Sequence, residues 1–199
     1  MTRPRRSGRR TRRSRARWSG CRGSDPITAT YTTACTAASP VGSYPIIPTL
    51  VDPSGKLANY VVTLKQGTLA VKYASAATMC MGSPSHTILQ PINSTGTSVF
   101  KWKSSVPAKF RVCDAFGNSI GAPDVVSSFN LVKTVKGTVT QEVNEQVDST
   151  SGSASFIFDP SDQQWIFVIN TKSLAANATY FYNVQLNDGT SIQFSFGLK

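Results

Sequence analysis

The stretch Ser105-Val-Pro-Ala-Lys-Phe-Arg-Val-Cys113 constrains this chain most. Val106, Ala108, Phe110 and Val112 alternate with Pro107, Lys109 and Arg111. An apolar face against a mostly polar one, repeating every second residue, is the signature of a half-buried β-strand. Pro107 has no N–H to give to a ladder, so it marks the start of the strand or an edge. Such a strand needs a sheet, and the rest of the composition agrees. Charged residues make up only 16% of the chain, and Thr, Ser and Val are abundant, as in all-β proteins. A chain of 199 residues has room for one or two domains.

Further strands follow from alternation and turn chemistry. Ile27–Thr33 alternates, and Tyr44–Pro48 is short and extended. Asn59–Leu64 and Thr68–Tyr73 read as a hairpin across Gln66-Gly67. After a small-residue connector over 74–86 come Thr87–Ile92, Ser98–Lys101 and the organising strand, which turns at Asp114–Asn118. Val125–Thr134 and Thr138–Val147 form a long hairpin across Lys136-Gly137. Phe156–Phe158 and Gln164–Ile169 flank the Asp159-Pro160 turn. Thr179–Leu186 and Ser191–Phe196 close the chain across Asn187-Asp188-Gly189, where Asp-Gly is favoured turn chemistry. About nine short strands at this spacing predict a β-sandwich over 87–199. The predicted core is Phe110, Val112, Phe129, Leu131, Phe156, Phe158, Trp165, Phe167, Ile169, Tyr180, Tyr182, Val184, Leu186, Ile192, Phe194 and Phe196. A buried Tyr or Trp in that set needs a polar partner.

The net charge of +11 belongs to one end of the chain. Residues 1–24 carry ten Arg and no acid, and the remaining 11 basic residues meet all 10 acidic ones. A tail so poor in large apolar residues cannot offset its own chain entropy, so disorder is expected there. It is open to three readings: a phosphate-binding arm for nucleic acid or another polyanion, a targeting peptide without the apolar stretch a secretory signal needs, or text from a misplaced start or frame. Nucleic acid is a partner only through this tail. No run of about 20 apolar residues is present to span a bilayer as a helix.

Catalytic and metal-binding chemistry finds little support. His86 is the only histidine, and the four cysteines have no CxxC spacing, so zinc and thioredoxin-like readings fail. Glu142 and Glu145 are spaced to face opposite ways on a strand. Asp159, Asp162 and Asp188 offer loop oxygens to Ca²⁺ without any calcium motif, and turn formation explains them more simply. No cofactor, no metal and no general acid/base pair is expected. Trp102, between Lys101 and Lys103, is the candidate ligand contact, against the ordinary alternative of a half-buried strand Trp.

Three resemblances add to this reading. Ser39–Ile46, Gly55–Tyr60 and Gly67–Val71 resemble the closing half of an MBG-type repeat, an Ig-like module of large bacterial surface and secreted proteins. The family's opening strands belong where the Arg tail stands, which implies a partial β module over 25–73 with exposed edges. Ile88–Asn93, Val99–Lys101, Val106–Asp114, Gly117–Gly121, Gln164–Phe167 and Leu186–Thr190 through Phe196-Gly-Leu-Lys199 resemble the PxKF domain. Its name is the motif present here as Pro107-Ala-Lys109-Phe110. Leu174, six residues before Tyr180, resembles the tyrosine corner of fibronectin-like domains, the alternative being a core Tyr without a corner.

The PxKF resemblance implies an Ig-like module near the end of a bacterial secreted or surface protein. In that setting Cys80 and Cys113 are expected to form a disulfide joining the connector to the organising strand, worth about 3–4 kcal/mol in the loop-entropy model. Cys21 and Cys35 are left without an expected bridge.

The expected protein is therefore all-β. An Ig-like antiparallel sandwich over 87–199 follows a 74–86 linker, a partial β module and an Arg-rich tail. The expected role is a non-enzymatic structural or adhesion module at the C-terminal end of a larger extracellular or cell-surface protein, its signal peptide lost by truncation, with neighbouring β-modules as partners. The alternatives are a carbohydrate- or protein-binding domain acting through loops or exposed aromatics, and polyanion binding through the tail.

Overall fold

A computed structural model describes residues 25–37, 39–75, 78–150 and 155–199. The Arg-rich stretch 1–24 and Cys21 lie outside the described residues. The strands in chain order are β1 (Thr28–Thr32), β2 (Gly42–Val51), β3 (Gly67–Val71), β4 (Met79–Cys80), β5 (Ser83–Pro84), β6 (Ile88–Leu89) and β7 (Val99–Phe100). They continue as β8 (Ser105–Phe110), β9 (Val126–Lys136), β10 (Val139–Gln146), β11 (Ile157–Asp159), β12 (Gln164–Asn170), β13 (Ala178–Leu186) and β14 (Ser191–Leu198). The one helical element among the described residues is a 3-10 turn at Lys56–Asn59.

The chain divides into two compact units. The larger holds residues 34–45 and 68–199. Its principal sheets are ordered β10-β9-β13-β14-β7 and β11-β12-β8-β6. All pairings in them are antiparallel except β14 with β7. Four strands in one layer, and five in the other with a parallel first strand beside the last, give the Ig-like sandwich order. Between the sheets lies one aromatic-rich core. Phe129 packs within 5.0 Å of the rings of Phe156 and Phe167, and Tyr182 stacks on Phe194 and Phe196 at 5.2 Å.

Of the predicted core residues only Phe158 is partly exposed; the others are buried. Phe158 sits against Gly121, where a Cβ would come within 2.4 Å of its ring, so any larger residue there must push the ring aside. The alternation in β13 and β14 is strict: Tyr180, Tyr182, Val184, Ile192, Phe194 and Phe196 point inward. Pro107 sits in β8, paired with Val168 of β12. On the other side β6 reaches only Lys109 and Phe110, so no strand stands beside Pro107 there, an edge position that tolerates a residue without an N–H.

The smaller unit includes described residues 25–33 and 46–67. Here β1 pairs antiparallel with the second half of β2, from Thr28↔Val51 to Thr32↔Ile47. Asp52 closes the turn that follows, accepting the Leu57 N–H at 2.8 Å. The Tyr60 hydroxyl donates to Asp25 at 2.6 Å. No described residue of this unit is buried, so it has no core of its own. The expected strand at Asn59–Leu64 does not form. Asn59 ends the 3-10 turn, and residues 60–66 pair with no strand. β3 takes β2 as its neighbour instead, a ten-residue strand where a short extended segment is expected. The β-branched content of Val61, Val62 and Thr63 suits a strand, but a strand also needs an open edge beside it.

Candidate functional site

The organising stretch does more than build a sheet. Beyond β8, Arg111 and Cys113 receive the connector: the His86 N–H donates to the Arg111 carbonyl and the Ala74 N–H to the Cys113 carbonyl. Cys80 and Cys113 are joined in a disulfide with Cα atoms 5.6 Å apart, and both are fully buried. The described residues 74, 75 and 78–86 therefore lie along the sandwich rather than swinging free of it. Arg111 fixes the opposite side, donating to the Asp162 and Gln163 carbonyls. Of the motif residues, Phe110 is wholly buried, 4.8 Å from Phe156. Lys109 pairs with Ile166 of β12 and Leu89 of β6.

His86 closes a chain of hydrogen bonds. Its Nδ1 lies 2.9 Å from Ser85 Oγ and its Nε2 3.1 Å from Thr190 Oγ1. Thr190 gives its single hydroxyl proton to Asp188, so Nε2 carries the imidazole proton and Nδ1 accepts from Ser85. Asp188 also accepts the Thr190 and Tyr73 N–H groups. Burial works to raise its pKa, but these bonds and nearby His86 outweigh it and hold the carboxyl low. Burial also disfavours the imidazolium and lowers the His86 pKa, against the pull of Asp188. The Tyr73 hydroxyl, pushed up to about 12 by burial, donates to Asn187 at 2.6 Å. Although Ser, His, Thr and Asp stand in sequence here, Ser85 is fully buried and every polar atom holds a neighbour. The arrangement pins the connector to the β13–β14 turn. Among the described residues no group of three metal-ligating side chains converges.

Tyr180 forms a corner: its hydroxyl donates to the Ala175 carbonyl at 2.9 Å and accepts the Ala175 N–H at 2.7 Å. Leu174 packs against the core beside it. Trp102 is exposed at the surface, at 38%. Its indole N–H donates to the Leu174 carbonyl at 2.6 Å, and the Lys103 ammonium lies 4.0 Å from its ring centre. Both the polar end and one face of this ring already have partners within the chain.

A concave feature lies elsewhere, on the outer face of the five-stranded sheet. Glu142, Lys133, Phe181 and Ser195 stand in register on β10, β9, β13 and β14, one residue per strand. A parallel row carries Asn130, Asn183 and Gln193. Loop 93–98 rises beside β14 and walls the groove. It is held by bonds from the Asn93 N–H to Ser98 Oγ and from Thr95 to Asn93 Oδ1. Gly96, at φ 74°, comes so close that a Cβ would lie 2.6 Å from Ser195 Oγ. The groove, open to solvent, has a volume of about 360 Å³, and Ser94, Thr95, Lys133, Glu142, Phe181 and Gln193 are among its lining residues. Lys133 Nζ rests 4.4 Å from the Phe181 ring centre.

None of these groove residues is apparent from the sequence. Those on strands occupy outward positions on four of them; local turns set the β9–β10 and β13–β14 registers, Glu142 against Lys133 and Phe181 against Ser195, while no local signal places β9 beside β13. Glu142 lines this groove while Glu145 lines a separate small cavity, so the two carboxylates do not work together.

No family model and no curated protein matches the chain. A solved structure from Bacteroides ovatus, the SGBP-B protein of the mixed-linkage glucan utilization locus in complex with a mixed-linkage heptasaccharide, aligns at 11% identity and a TM-score of 0.20. The alignment covers 87% of this chain and 37% of that one. A likeness this low carries no argument about fold or ligand.

Proposed function

We propose that this chain is a non-enzymatic structural and adhesion module of a larger bacterial protein exposed outside the cytoplasm, of the kind its PxKF-like motifs suggest. The observation that carries this reading is the buried Cys80–Cys113 disulfide, tying the connector to the strand around which the sandwich is built. Disulfides persist in secreted and surface proteins and are rare where thiols are kept reduced. Two further supports come from chemistry. The one histidine and the best-positioned carboxylate, Asp188, hold the fold together. The hydroxyls and indoles nearest the loops donate to backbone carbonyls, as at Tyr180, Trp165 and Trp102. A sandwich fixed this way keeps its shape while its loops and outer faces meet partners such as neighbouring β-modules.

The test is where the chain resides and in which redox state. Intact cells that make it are labelled with a membrane-impermeant amine reagent, and the chain is recovered and weighed before and after reduction. Labelling, with a gain of two hydrogens at Cys80 and Cys113 on reduction, is the expected result. An unlabelled chain with both thiols free would overturn the reading.

A further inference from the structure

We infer that the groove on the outer face of the β10-β9-β13-β14 layer is a binding site for a neutral saccharide chain. The inference deepens the adhesion reading by naming its ligand class and rests on that reading for its biological sense, though not for its geometry.

Four observations carry it. First, the Glu142–Lys133–Phe181–Ser195 row crosses four strands in register. Strands spaced about 4.8 Å apart make that row about 14 Å long, a linear track suited to a short run of sugar rings. Its volume of about 360 Å³ lies within the range of ligand sites rather than of packing defects.

Second, the track alternates hydrogen-bonding groups with an aromatic face. Among the described residues, the Glu142 carboxylate, the Gln193 amide and the Ser195 hydroxyl make no hydrogen bond within the chain, leaving them to meet ligand hydroxyls.

Third, the charges cancel. Glu142 stands opposite Lys133 in register, so the track has no net charge with which to select a polyanion or a polycation. Strand addition by a peptide is also disfavoured, because the floor strands β9, β13 and β14 are each paired on both sides.

Fourth, Phe181 lies outside the core and is half-buried, with the long, rotatable Lys133 side chain over its ring, Nζ 4.4 Å from the centre. A cation over a partly exposed ring is held by a small energy, so a sugar face can take the ammonium's place. Loop 93–98 closes one side, and Gly96 is what lets it approach Ser195.

The experiment is affinity electrophoresis of the full chain through gels containing soluble neutral polysaccharides: mixed-linkage β-glucan, laminarin, xyloglucan, galactomannan and pullulan. Polygalacturonate serves as the charged comparison. The expected result is retardation by at least one neutral polymer and not by polygalacturonate. Phe181→Ala and Gln193→Ala should weaken it about tenfold or more, and Ser195→Trp, which fills the groove, should abolish it. Trp102→Ala should retain it. Each variant's melting temperature is measured alongside, so that loss of fold is seen as such. The inference is overturned if no neutral polymer retards the chain, if polygalacturonate retards it equally, or if retardation survives Phe181→Ala and Ser195→Trp. Any of these failures leaves the stapled-module reading to its own labelling and mass test.

Discussion

Tyr180 and Tyr182 stand two positions apart on the inward face of β13, yet their hydroxyls are treated differently. Tyr180 both accepts from and donates to Ala175, replacing the polar contacts it lost on burial. The Tyr182 hydroxyl is buried with no partner among the described residues, and burial raises its pKa strongly. Removing a paired hydroxyl strands the group it served, whereas removing an unpaired one relieves a cost. Tyr180→Phe should therefore destabilise the sandwich by about 1–3 kcal/mol, and Tyr182→Phe should leave stability unchanged or raise it by up to about 1 kcal/mol. Urea denaturation of the two variants beside the parent decides this; a larger loss at Tyr182 would mean its hydroxyl has a partner after all. The sequence makes both residues inward-facing, and the Leu174–Tyr180 spacing points to the corner. Nothing in it distinguishes the orphaned hydroxyl, because that depends on which backbone atoms arrive from other strands.

Among the elements, those built on local turn chemistry are the readable ones. The β9–β10 hairpin turns at Gly137, whose φ of 59° needs a glycine, and β13–β14 turns through Gly189 at φ 82°. The Asn59–Leu64 segment has equally good strand composition and an apparent turn at Gln66-Gly67, but Gly67 is the first residue of β3 without a positive φ, and β2 occupies the place beside β3. The connector was harder still, because its order comes from side chains far along the chain. His86 reaches Thr190 across 104 positions. This link carries a pH prediction. Burial, opposed by Asp188, lowers the folded His86 pKa below 6.5. The unfolded chain thus takes up the proton first as pH falls, and the stabilising contribution, whole above pH 6.5, is lost progressively below it. Tyr73, Ser85, Thr190 and Asp188 are the groups that face the ring. Asp188, held below its ordinary 3.8, stays ionised throughout this window. The melting temperature should drop between pH 7.5 and pH 5, and His86→Gln should flatten that drop. An unchanged slope in the variant would place the titration elsewhere.

At the scale of the whole molecule the two units differ in what holds them. The larger has a continuous aromatic core and the Cys80–Cys113 cross-link. The smaller has paired strands, a capped turn and exposed apolar side chains such as Val61 and Leu64. Amide exchange samples local opening, and its free energy follows buried contacts more than the number of strand hydrogen bonds. The amides of β1 should therefore exchange orders of magnitude faster than those of β13, near the rate expected for a fraying ladder. Reduction should separate the units further. Opening the disulfide returns entropy to the unfolded larger unit, about 3–4 kcal/mol in the loop model, which for a chain of this size lowers its melting temperature on the order of 10 °C. Exchange in β1 should hardly change, because no part of the disulfide loop lies in the smaller unit. Exchange in β8 and β13, which opens only with the whole sandwich, should speed up by the full amount. Hydrogen exchange with peptide resolution, run with and without reductant, measures both at once. Equal acceleration in β1 and β13 would show that the chain unfolds as a single cooperative body. Acceleration confined to residues 74–86 would show that the cross-link holds only the connector and adds nothing to the sandwich.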